Sequence, residues 1–145
     1  MVSLHRMDEE GERRVHEPRT KLTGQMVMED TAALLTFIDG EAAIKPGPVG
    51  SIGWCMGGWM VLSAAGNFPD RLQAGASLHG TMLVSDKPDS PHLMVDKFHG
   101  ELYGGFGELD HLTPPAMAEE LGRLLNGCDV DYRGIIHKGA EHGYA

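Results

Sequence analysis

Residues Gly53-Trp54-Cys55-Met56-Gly57-Gly58 follow the apolar run Val49-Gly50-Ser51-Ile52 and open a stretch of small and apolar residues that reaches Ala65. A strand that passes into a helix through one residue must reverse sharply, and the side chain at the reversal stands clear of both elements. The backbone at that residue takes a strained, positive-φ conformation. Its neighbours two places away on either side pass so close that a Cβ would clash, which assigns Gly53 and Gly57 to the turn. The spacing therefore predicts a strand–turn–helix unit with the Cys55 thiol at its apex. A helix beginning at Met56 leaves the Met56 N–H without an intrahelical acceptor, available as one half of an oxyanion hole. The competing reading is a structural Cys buried between packing glycines. The strand before it and the helix after it favour the turn.

Elsewhere helical periods and short apolar runs alternate. From Gln25 to Ile38, residues Met28, Ala32, Leu35 and Ile38 recur at helical spacing. Asp39-Gly40 predicts the end of that helix, with a left-handed glycine cap. Ala74 to Leu78, Glu101 to Phe106 and Val130 to His137 read as strands. Pro114-Pro115 opens a helix that runs to about Asn126. Residues 81–100 read mostly as loop. Residues 1–24 carry many charges and no clean period, so they read as an irregular segment preceding one domain over 25–145. The order of elements predicts an α/β fold, a parallel sheet of about four strands with flanking helices. Ligands bind such sheets beyond the carboxyl ends of the strands. Cys55, His79, Asp110 and His142 all fall just past such an end, and that convergence is the strongest functional signal.

A thiol nucleophile needs a base, and the base needs an orienting acceptor. On sharp turns of this kind the chain order is nucleophile, acid, His. Asp110 follows the third strand and His142 the fourth, so the order assigns Cys55 as nucleophile, His142 as base and Asp110 as the residue that fixes its tautomer. Trp54 and His79 are candidates for lining the pocket, and for His79 a plain structural role competes. Among the eight histidines, His111 is expected to face away from the site and His137 to be a packing or edge position. Glu108 and Glu141 read as solvated carboxylates, and Cys128 as inert. No metal-ligand spacing occurs, so neither a metal nor a cofactor is expected.

Composition limits the partners. The formal net charge of −9 disfavours nucleic acid and anionic membrane surfaces, which need a basic patch. No apolar run approaches the roughly 20 residues that span a bilayer, and Met1 to Pro18 has no apolar core of a secretory signal. Two cysteines make no disulfide framework. A cytoplasmic location is the expectation.

Three segments, GPVGSIGWCMGG around Cys55, GELYGGFGELDHLTPP around Asp110 and KGAEHGYA around His142, together resemble the dienelactone hydrolase family, as do the SLHG and SPHL stretches. The resemblance runs from about Met28 to Ala145. It implies a cysteine branch of the α/β-hydrolase fold that hydrolyses small-molecule esters or lactones through a thioester, with carboxymethylenebutenolidase as the name activity. It carries the nucleophile, acid and base roles onto Cys55, Asp110 and His142. A complete fold of this family has strands and a helix before the elbow and a closing helix after the His. The resemblance thus implies the C-terminal half of that fold, truncated at both ends and lacking the second oxyanion donor and a substrate-binding Arg. No anion-binding role is assigned among Arg6, Arg13, Arg14 and Arg19. The elbow strand would then be an open edge, able to pair in a homodimer. Two other readings compete. A class I glutamine amidotransferase also uses a G-x-C-x-G elbow, but its His is followed two places on by Glu, where this chain has Tyr144. A non-catalytic remnant could keep these motifs as an interaction module.

Overall fold

The computed structural model describes residues 9–145. Four strands, β1 (Val49–Trp54), β2 (Leu72–Leu78), β3 (Glu101–Gly107) and β4 (Asp131–His137), form one parallel sheet in the order β1-β2-β3-β4. Helices α1 (Glu9–Lys21), α2 (Gly24–Gly40), α3 (Met56–Asn67) and α4 (Pro115–Leu125) complete it, with a 3-10 helix over Pro91–Lys97. The predicted four-strand α/β architecture is therefore present.

Strand parity explains the layering. Gly53, Gly75, Leu102, Phe106 and Tyr132 point to the side where α3, the 3-10 helix and α4 pack. There Leu62, Leu83, Phe98, Phe106, Leu121 and Leu125 are each at most 1% exposed. Burying such side chains supplies about 1.5–3 kcal/mol each relative to exposure. Helix α3 can lie close to the sheet because small residues meet there: a Cβ on Gly58 would sit 2.3 Å from Ser77 Oγ and 2.5 Å from the Gly80 Cα. Helix α2 packs on α3 through Leu35 and Ala64. Asp39 at its end receives two hydrogen bonds from the Arg71 guanidinium, at 2.7 and 2.9 Å.

The opposite side of the sheet carries Ile52, Ala74, Ala76, Tyr103 and Arg133, which line a groove of about 580 Å³. Ile52 remains 56% and Trp54 46% exposed. Among the described residues β1 pairs only with β2, so its outer edge is unpaired. No helix among the described residues is long and apolar enough to cross a membrane.

Two expectations need correction. Residues Glu9–Lys21 are a helix rather than an irregular segment; the part of that segment before Glu9 lies outside the described residues. Helix α1 has little apolar character and is supported instead by pairs one turn apart, Glu10 with Arg14 at 2.9 Å and Glu17 with Lys21 at 2.7 Å. Gly40 is the last helical residue but is not left-handed; α2 ends with the Glu41 N–H bonded to the Ile38 carbonyl, with Glu41 extended. The 81–100 segment is mostly loop as expected, apart from the 3-10 helix, which buried Pro91 and Phe98 anchor.

Candidate active site

Strand β1 enters α3 through Cys55, whose φ is 53° and ψ −120°. This is the positive-φ reversal expected from the glycine spacing. The turn is tied to its neighbour: the Cys55 N–H bonds the Leu78 carbonyl at 3.1 Å, and the Thr81 N–H bonds the Cys55 carbonyl at 3.1 Å. A Cβ on Gly53 would lie 2.2 Å from the Gly57 carbonyl oxygen and 2.3 Å from its carbon. Gly57 differs from expectation, since a Cβ there would meet nothing within 4 Å. The crowded pair is Gly53 against the Gly57 backbone, and the second glycine required for space is Gly58. Because backbone atoms cannot yield as a flexible side chain does, Gly53→Ala is expected to cost about 3 kcal/mol. A urea melt checks this, and an unchanged midpoint would contradict the close approach.

Cys55 is the N-cap of α3 and makes no side-chain capping bond. Among the described residues nothing accepts the Met56 N–H. Its direction follows from the helix, whose first N–H groups have no intrahelical partner. Met56 also lines a cavity of about 550 Å³ shared with Leu22, Trp59, Met82, Arg19 and Lys87. Arg19 comes from the helix that the charge-rich sequence concealed. Trp54 faces the other side of the sheet and does not line this cavity.

Asp110 and His142 are brought together. Asp110 is 1% exposed, and its Oδ2 lies 2.8 Å from His142 Nδ1. Its other oxygen accepts from the Leu112 N–H at 2.9 Å and the Thr113 N–H at 3.2 Å. Burial alone would raise the Asp110 carboxyl, but these hydrogen bonds and the nearby His142 outweigh it and hold the group below its ordinary value. An ionised carboxylate only accepts, so His142 carries a proton on Nδ1. The loops that hold the two residues are clamped to each other. Leu109 N–H donates to the Ala140 carbonyl at 2.9 Å, and the Gly139 N–H donates to Glu108 Oε2 at 2.8 Å. Glu108 is exposed as expected, yet it also has this clamping bond, which its sequence context does not advertise.

His79 is 4% exposed, with φ 39°, and its ring stands edge-on to His142 with centroids 4.6 Å apart. Tyr144 packs against both His79 and His137, at 5.7 and 4.8 Å. Burial, followed by the nearby Tyr103 and Asp110, pushes the Tyr144 hydroxyl above its ordinary value. The Cys55 thiol is half-buried, and among the described residues it makes no hydrogen bond to His142. Thus Asp110, His142 and His79 form one contact group, and Cys55 adjoins it through the backbone bonds to Leu78 and Thr81. No group of three or more His, Cys, Asp or Glu side chains among the described residues is placed to hold a metal ion.

A parallel sheet with a strained strand-to-helix turn and an acid–imidazole pair at its carboxyl edge defines an α/β-hydrolase-type chain. The dienelactone hydrolase family model matches residues 5–145, and the chain belongs to that family. This match extends well before Met28, so the N-terminal helix falls within it. A protein of Synechocystis described as "Putative carboxymethylenebutenolidase" is 31% identical over 121 residues, covering 81% of this chain and 48% of its own length. A Klebsiella pneumoniae structure titled "Putative Dienelactone Hydrolase" superposes with a TM-score of 0.76 at 17% identity, over 86% of this chain and 52% of its own. The acylaminoacyl peptidase of Pyrococcus horikoshii gives 0.69 at 17% identity, over 81% of this chain and 24% of its own. The chain spans about half the length of the curated relatives it matches.

Proposed function

We propose that this chain carries the catalytic site of a thiol hydrolase that cleaves small esters or lactones, with Cys55 as nucleophile, His142 as base and Asp110 as its orienting acid. The observation that carries this reading is the 2.8 Å Asp110–His142 bond at the same sheet edge as the strained Cys55 turn. Cys55 Sγ gives its proton to His142 Nε2 and attacks the substrate carbonyl carbon. A C–S bond forms, and the carbonyl electron pair moves to oxygen, where the Met56 N–H meets the developing charge. Collapse of this intermediate breaks the ester C–O bond, and the imidazolium protonates the leaving oxygen. Water, deprotonated by His142, then hydrolyses the thioester and returns the thiol.

The cavity of about 550 Å³ at Met56 is lined by none of Cys55, Asp110 and His142 and reaches the proposed chemistry only at Met56. A second reading, a remnant that serves as an interaction module, draws on the uncovered sheet face around Ile52 and Trp54. Hydrolysis of p-nitrophenyl acetate by the purified wild type and by Cys55→Ala decides between them. The hydrolase reading expects the variant to fall to the buffer rate. Equal rates for the two proteins select the remnant.

A further inference from the structure

His79 has three features that a structural histidine at the end of a strand does not need. Its backbone is left-handed at φ 39°, a conformation that costs a residue with a Cβ free energy and persists where the surroundings impose it. It is 4% exposed, and its Nδ1 is buried with no hydrogen-bond partner among the described residues. Its Nε2 has only the Ala145 carbonyl, at 3.4 Å, too long to be a strong bond. With neither nitrogen in a strong bond, the ring is held by packing rather than by its polar atoms. What the strained backbone does achieve is placement: the His79 N–H bonds the Gly105 carbonyl at 2.8 Å, and the ring meets His142 edge-on at a centroid distance of 4.6 Å and an interplanar angle of 70°.

We propose that His79 is a positioning residue for His142, its ring forming a wall that keeps the His142 imidazole rotated so that Nδ1 stays on Asp110. The inference rests on the proposed role of His142 as base. Asp110 restrains that imidazole at one atom, and one hydrogen bond tolerates swings of the ring about Cβ–Cγ that lengthen or bend it. An edge-to-face neighbour removes that freedom, and such ring pairs prefer this perpendicular arrangement. Tyr144 also packs edge-on against the His79 ring, at 5.7 Å. The contact is one of shape, so the ring matters and its nitrogens do not.

Two variants separate these properties. His79→Asn tolerates the left-handed backbone but removes the ring, whereas His79→Phe keeps a ring and removes both nitrogens. The first readout is the downfield proton NMR resonance of the His142 Nδ1–H held by Asp110, which needs no turnover. It is expected to persist in His79→Phe and to vanish by exchange broadening in His79→Asn. The second readout is ester hydrolysis, where His79→Asn is expected to lose about ten-fold in kcat at unchanged KM, as a modest misplacement of a reacting group does, and His79→Phe to retain most of it. A resonance untouched in His79→Asn, or lost equally in both variants, overturns the proposal. If Cys55→Ala matches the wild type in the ester assay, the hydrolase reading fails, and the resonance comparison still decides whether His79 holds the ring.

Discussion

A Cys55→Gly protein is expected to unfold at higher urea than the wild type while hydrolysing esters no faster than buffer. The two effects share one cause. At φ 53° and ψ −120° a residue with a Cβ sits in a sparsely populated region, at a cost on the order of 1–3 kcal/mol. Glycine enters that region freely but brings extra chain entropy to the unfolded state, about 0.5–1 kcal/mol. The difference leaves a net gain of about 1 kcal/mol. The thiol is lost altogether, and removing a nucleophile from a working triad lowers kcat on the order of 10⁶. Urea melts with p-nitrophenyl acetate assays on the same samples check both halves. A variant less stable than the wild type would show that the Cys55 backbone stores no strain. Retained hydrolysis would remove the thiol from the chemistry.

Asp110→Asn is expected to keep the fold and to lose about 10³–10⁴ in kcat. The Oδ1 that accepts from Leu112 and Thr113 survives as an amide oxygen, so the loop retains those bonds. The other branch becomes an NH₂ donor facing His142 Nδ1. That nitrogen must then accept, its proton moves to Nε2, and the face needed to receive the thiol proton is blocked. The same substitution tests the acid response. Asp110 has a folded-state pKa below its ordinary 3.8, so the stability it adds is full above that value. This contribution is lost as pH falls through the lower, folded value. The wild type should therefore weaken on acidification below about pH 4, and the variant should lack that part of the decline. Full activity in the asparagine variant would mean that the 2.8 Å pair is structural.

The elements that hold these residues were legible where local chemistry and tertiary placement agree. Gly53, Cys55 and the helix start at Met56 each meet a steric demand of the same turn, so the motif announces its geometry. Strands β2, β3 and β4 end within a residue or so of expectation because Gly80, Gly107 and Gly139 punctuate them. Helix α1 was not legible: its stability comes from charge pairs and from its place beside the cavity, and neither leaves an apolar period. The need for glycine at 58 was not legible because the clash there is with Ser77 and Gly80, distant in sequence. His79 was legible as a pocket candidate but not as the neighbour of His142, and Glu108 looked ordinary, since a ring contact to His142 and a bond to the Gly139 N–H exist only after the strands pair.

The proposed chemical parts are mounted on two pieces. Cys55 and His79 hang from β1 and β2, whereas Asp110 and His142 hang from β3 and β4, joined by the Glu108 and Leu109 clamps. Above the ladder, the seam is crossed by the His79–Gly105 bond and by Thr113 Oγ1 donating to the Gly80 carbonyl at 2.6 Å. Acid and imidazole thus share one clamped pair of loops, and the sulfur stands on the turn after β1. The distance from sulfur to imidazole is therefore set by the register in which the second and third strands pair, five residues long from Ala74 to Leu78.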